Sequence, residues 1–115
     1  MKKVLLQDSD NDLLETITII LQEEKYSVLP VLQYKDVATQ IYSFHPHLVL
    51  LDFRFYGEEC IGLCHRLKKD FPLLPIIAMS CNDNIKNDYN QAGFDDFISK
   101  PFDIDYLFAT LQKYL

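Results

Sequence analysis

Asp8, Asp52, Ser80 and Lys100 each stand at or just past the end of a short, largely apolar run. Val4-Leu5-Leu6-Gln7 leads into Asp8, Leu48-Val49-Leu50-Leu51 into Asp52, Ile76-Ile77-Ala78-Met79 into Ser80, and Phe97-Ile98-Ser99 into Lys100-Pro101. Apolar runs without alternation read as strands buried on both faces, as in a parallel sheet. The carboxyl edge of such a sheet is where open α/β folds place their chemistry. If these runs are parallel neighbours, their ends gather carboxylates, a hydroxyl and an ammonium. Carboxylate oxygens suit Mg²⁺. A carboxylate can be the nucleophile that takes a phosphoryl group, and lysine and a hydroxyl can hold the phosphoryl oxygens. Alone, Asp52 would read as a cap or turn residue; the other three give it weight.

The elements that must position these residues follow from the same sequence. Ser9 or Asp10 can cap a helix carrying Leu13, Leu14, Ile17, Ile20 and Leu21 at helical spacing. Tyr26 to Val31 reads as a second strand, and Pro30 within it predicts a sheet edge, because proline lacks the ladder donor. Val37, Ala38, Ile41 and Tyr42 mark a second helix that ends at His45-Pro46-His47. Cys60, Ile61, Cys64 and Leu67 mark a third. Ile85, Tyr89 and Ala92 form the weak apolar stripe of a short fourth helix, which Gly93 ends. Asp103 can cap a fifth, carrying Leu107, Phe108, Leu111 and Leu115. Strand then helix, five times over, predicts an α/β fold: a doubly wound, flavodoxin-like parallel sheet of five strands with five helices on its two faces.

The chain of 115 residues suggests one domain over residues 1–115. With 49% hydrophobic and 24% charged residues it has globular rather than disordered composition. A net charge of −6 and the lack of a basic patch argue against nucleic-acid binding. Met1-Lys2-Lys3 is followed by too few aliphatic residues for a signal peptide. No apolar run nears the roughly 18 residues of a membrane span. An odd number of cysteines without export signals points to reduced thiols and a cytoplasmic location. Cys60, Cys64 and His65 sit close in sequence, but the apolar spacing places the cysteines in a core rather than around zinc.

The chain resembles, over its whole length, the receiver domains of two-component response regulators of the chemotaxis-regulator type. The resemblance rests on Lys3-Val4-Leu5-Leu6-Gln7-Asp8, on Leu48-Val49-Leu50-Leu51-Asp52, on Pro75-Ile76-Ile77-Ala78-Met79-Ser80, and most specifically on the run from Ala92-Gly93 through Asp95-Asp96-Phe97 to Lys100-Pro101-Phe102. It implies the strand order 2-1-3-4-5. It also implies that Asp52 takes a phosphoryl group from a histidine kinase or phosphotransfer protein. Asp8, Asp52 and the backbone carbonyl of Arg54 would hold Mg²⁺. Ser80 and Lys100 would hold the phosphoryl group, and Pro101 would follow a cis peptide that points the lysine inward. Ser80 and Phe97 would form a switch that changes the surface of the fourth helix, fifth strand and fifth helix for a downstream protein or effector domain. An acyl phosphate adds about −1.5 to −2 charges, which Mg²⁺ and Lys100 must offset. Beyond self-catalysed phosphorylation and dephosphorylation of the aspartate, no enzymatic activity is expected.

Some positions depart from the family's pattern. Ser9 stands where a second acid is usual, so it would reach the metal only weakly, through water, with Mg²⁺ affinity lower by about tenfold. Tyr56 replaces a usual proline, Cys60 a usual glycine, and the segment between Ser80 and Lys100 is slightly short. Three functional classes follow: a phosphorylation-dependent signalling domain, a phosphorylation-independent protein-interaction module on the same fold, and a flavodoxin-like cofactor binder. The last lacks a glycine-rich phosphate loop after the first strand. No direct nucleic-acid or membrane partner is expected, and a homodimer through the last helices is compatible with the sequence.

Overall fold

A computed structural model of the chain describes residues 1–54, 58–81, 89–90 and 92–115. Strands β1 (Lys3–Gln7), β2 (Ser27–Val31), β3 (Leu48–Asp52), β4 (Ile76–Ser80) and β5 (Asp96–Ser99) alternate with helices α1 (Asn11–Glu23), α2 (Val37–Phe44), α3 (Glu58–Asp70) and α4 (Ile104–Tyr114). A 3-10 turn over Tyr34–Asp36 leads into α2. The expected helix between β4 and β5 falls largely outside the described residues, as do Phe55, Tyr56 and Gly57 after Asp52. Four α-helices therefore stand among the described residues.

All strand pairings are parallel, in the order β2-β1-β3-β4-β5. Every residue of β3 and β4 is buried, which is why these runs show no alternation of apolar and polar residues. Pro30 lies in β2, an edge strand, where a missing ladder donor is tolerated.

Alternate strand residues feed two cores. Leu5, Val49, Leu51, Ile76 and Ala78 pack with Val37 and Ile41 of α2 and Cys60, Leu63, Cys64 and Leu67 of α3. Val4, Leu6, Leu48, Leu50, Ile77 and Met79 pack on the other face with Leu14, Ile17 and Leu21 of α1 and Leu107 and Leu111 of α4. The doubly wound arrangement is thus built by the pleat itself. Tyr42 departs from the apolar stripe expected of α2. Its side chain is exposed, with its ring 5.2 Å from that of Phe71.

Local sequence sets the helix ends. Of the two candidate caps for α1, Asp10 does the work: its carboxylate accepts from the N–H groups of Asp12 and Leu13. Asp103 caps α4 by accepting from Asp105 N–H. Gly93 has φ +100°, a conformation that disfavours a side chain, and a Cβ there would meet the His65 ring at 3.0 Å. Among the described residues no helix is long and apolar enough to cross a membrane.

Candidate functional site

Asp8 follows β1, Asp52 and Ser80 end β3 and β4, and Lys100 follows β5, so the parallel sheet brings them to one edge. Lys100 Nζ donates to Asp8 Oδ2 at 2.7 Å and to Asp52 Oδ1 at 3.0 Å. The three side chains are 10%, 1% and 9% exposed, in the order lysine, Asp8, Asp52. Two nearly dry carboxylates thus share one ammonium. The Arg54 guanidinium lies farther out, its Nε 3.9 Å from Asp52 Oδ2, on a side chain that is about half exposed.

The electrostatics follow from that count. Burial pushes the Asp52 pKa up. Its bond with Lys100 and that cation's charge pull it down, the Asp8 charge pushes it up again, and the Ser9 backbone N–H pulls it down; the balance is a raised pKa. Burial works against the Lys100 ammonium, but its bonds to Asp8 and Asp52 outweigh burial, and its pKa lies above the ordinary lysine value. The raised Asp52 pKa thus reflects burial that the Lys100 ammonium only partly offsets.

The other predicted residues fall around this centre. Ser80 is buried, and its carbonyl accepts from Lys100 N–H at 2.8 Å, which ties the ends of β4 and β5 together. The Lys100–Pro101 peptide is cis. Ser9 is half-buried beside Asp8, and Asp8 Oδ1 accepts from Asp10 N–H at 2.9 Å. The Asp10 carboxylate is engaged in capping α1. Phe97 is half-buried on β5. Its ring lies 5.2 Å from that of Tyr89, and it lines a shallow groove with Ser99, Pro101, Phe102, Asp103 and Tyr106.

Two site residues were not foreseen. Gln7 is fully buried; its Oε1 accepts from Asp52 N–H at 3.0 Å and its Nε2 donates to the Leu32 carbonyl at 3.0 Å. The Tyr34 hydroxyl donates to the Asp52 carbonyl. The sequence signal for Gln7 was faint: a primary amide at the end of an otherwise aliphatic strand has to find partners if it is buried.

A second acidic cluster occupies the opposite edge. Asp95 Oδ2 accepts from Lys68 Nζ at 3.0 Å and from Ile76 N–H at 2.8 Å, and Lys68 also reaches the Leu74 carbonyl at 3.0 Å. The Tyr114 hydroxyl lies 3.0 Å from both the Asp95 carbonyl and Asp96 Oδ2. These contacts give the Asp95-Asp96 pair a structural task. Among the described residues no group of three His, Cys, Asp or Glu side chains converges as a metal cage.

The family model for the response regulator receiver domain matches residues 4–112. Transcriptional regulatory protein CrdR of Helicobacter pylori is 30% identical over 117 aligned residues, covering 98% of this chain and 54% of CrdR. Sensory transduction protein BceR of Halalkalibacterium halodurans is 32% identical, covering 100% of this chain and 50% of BceR. The chain thus spans about half the length of these curated relatives. Among solved structures, response regulator protein TrrA from Thermotoga maritima, in complex with Mg²⁺-BeF, has a TM-score of 0.89 at 23% identity, with full coverage of both chains. Chemotaxis protein CheY4 of Vibrio cholerae has a TM-score of 0.88 at 18% identity, covering 100% of this chain and 99% of CheY4. At those identities the likeness is one of fold.

Proposed function

This chain belongs to the response regulator receiver family, and from that premise we propose that Asp52 accepts a phosphoryl group from the phosphohistidine of a histidine kinase or phosphotransfer protein. One observation supports this best: the Lys100 ammonium bridging two buried carboxylates at the carboxyl edge of the sheet. A carboxylate oxygen of Asp52 forms the new O–P bond as the N–P bond of the donor breaks. The imidazole nitrogen leaves with the electron pair and takes up a proton. Lys100, already 3.0 Å from Asp52 Oδ1, pairs with the incoming phosphoryl oxygens, and Ser80 on the neighbouring strand offers its hydroxyl.

The donor set suits Mg²⁺, because the surplus of carboxylate over ammonium calls for a hard cation and every donor is an oxygen. Asp8 and Asp52 would hold it, with the Arg54 carbonyl and, weakly through water, Ser9. When bound, the ion neutralises charge between Asp52 and the phosphoryl oxygens. TrrA, the structural neighbour named above, was solved with Mg²⁺-BeF.

The added charge on Asp52 would draw Ser80 toward it and let Phe97 move inward, altering the face made by β5 and α4; the expected fourth helix of that face lies largely outside the described residues. A downstream protein, a further domain or a second copy of the chain would read that face. No direct contact with nucleic acid is invoked, in keeping with the net charge of −6.

The test is intact mass after incubation with acetyl phosphate, with and without Mg²⁺, on wild type and Asp52→Ala. A Mg²⁺-dependent gain of one phosphoryl group, absent in Asp52→Ala, is the expected result. No gain at any Mg²⁺ concentration would overturn the proposal and favour a phosphorylation-independent interaction module. Ser9, in place of an acid, is the feature that favours that second reading.

A further inference from the structure

The ladder between β1 and β3 stops one residue short of Asp52. Its last pair is Gln7 with Leu51, whereas the β3–β4 pairing runs on to Asp52 with Met79. Phe53 N–H goes to the Met79 carbonyl at 2.7 Å, on the β4 side. The N–H and carbonyl of Asp52 face the other way, past the end of the β1 ladder. Side chains take over: Gln7 Oε1 accepts from the N–H at 3.0 Å, and the Tyr34 hydroxyl donates to the carbonyl. Gln7 is anchored in turn by its 3.0 Å bond to the Leu32 carbonyl.

We propose that Gln7 and Tyr34 are positioning residues for Asp52, which hold its peptide at both N–H and carbonyl and so fix the direction of its carboxylate. The inference rests on Asp52 being the phosphoacceptor. An exposed strand end would let that peptide rock, and a nucleophile loses rate when its approach line is loosely held. Both residues reach Asp52 from the β1–β2 side, so the clamp also ties the reacting residue to the connection between β2 and α2.

The test uses the full chain with Gln7→Met, which keeps bulk and removes both bonds, and Tyr34→Phe, which removes one hydroxyl. Ile17→Val, a buried change under α1, serves as a control for lowered stability. Amide exchange at Asp52 and the initial rate of phosphorylation by acetyl phosphate are measured where all variants are folded. The expected result has three parts. Asp52 N–H exchanges faster in Gln7→Met. Both clamp variants phosphorylate about tenfold more slowly, while Ile17→Val keeps the wild-type rate at a similar loss in Tm. The double variant is slowed by less than the product of the single effects, because both act on one peptide. Wild-type rates in both clamp variants overturn the proposal and leave the phosphoacceptor reading standing. No phosphoryl uptake by wild type overturns both. Should Gln7→Met fail to fold, Tyr34→Phe decides alone.

Discussion

At the amino edge of the sheet, Asp95 meets Lys68 one to one, and its second donor is the backbone N–H of Ile76. At the carboxyl edge, Asp8 and Asp52 divide one ammonium between them. The same residue types occur at both ends, yet the side chains of Lys68 and Asp95 are 25% and 32% exposed, against 10% or less at the other edge. The first cluster is a staple whose charges balance where solvent can screen them. The second gathers two carboxylates around one buried ammonium, with the half-exposed Arg54 guanidinium reaching Asp52 only at 3.9 Å. Burial of two carboxylates around one ammonium, rather than the mere presence of acids and a lysine, distinguishes the edge that we propose receives a cation and a phosphoryl group.

Removing the lysine from each edge is the harshest way to break the comparison. Lys100→Met leaves two buried carboxylates without their cation and should cost about 3 kcal/mol at pH 7.5. Lys68→Met should cost roughly 1 kcal/mol. Without its cation Asp52 titrates higher still, so the Lys100→Met deficit should shrink as pH falls toward 4.5. The titration of Lys100 itself does not interfere, because a raised folded pKa keeps its contribution fully present below the unfolded value of about 10.4. Urea unfolding at the two pH values measures this; equal losses at both edges would sink the distinction.

Neutralising an aspartate at each edge should give effects of opposite sign. The folded pKa of Asp52 is raised, chiefly by burial. Its contribution to stability is therefore present when it is protonated, and is lost as pH rises from the unfolded value of about 3.9 through the folded one. Above that window the ionised group is a net cost, and Asp52→Asn should stabilise the fold at pH 7 by about 1 kcal/mol, with the gain fading below pH 4. Asp95→Asn should destabilise by about 1 kcal/mol, because a balanced pair is broken. The metal sharpens the same contrast: millimolar Mg²⁺ should raise Tm in wild type and in Asp95→Asn but not in Asp8→Asn. Ser9→Asp should tighten Mg²⁺ binding about tenfold.

How much of this was legible in the sequence follows from what each feature depends on. The strand runs, the caps at Asp10 and Asp103 and the edge position of Pro30 depend on near neighbours, and they were readable. The resemblance then supplied the strand order that the sheet shows, and with it the meeting of Asp8, Asp52, Ser80 and Lys100 at one edge. Gln7 and Tyr34 could not be assigned to Asp52, because their bonds span 45 and 18 residues and leave no periodic trace. Asp95 and Asp96 could be quoted as part of a family run, but their work depends on Lys68, Ile76 and Tyr114 from three other elements. Tyr42 fitted the apolar spacing of α2 and still faces outward against Phe71, because a helix stripe predicts a direction and not what waits there.

A further effect is expected at the amino edge. Burial, then the hydrogen bond and charge of Asp96, push the Tyr114 hydroxyl up to about 12. The folded state favours the neutral phenol, so the contribution of Tyr114 is present below the unfolded value of about 10 and is lost as pH rises toward 12. Tyr114→Phe should cost about 1 kcal/mol at pH 8, and the gap to wild type should close by pH 11 to 12. Phosphoryl uptake at Asp52 should be unchanged, since the hydroxyl serves only the amino edge. A Tyr114→Phe protein that loses uptake while keeping its fold would show that the two edges communicate, and the division drawn between staple and site would have to be abandoned.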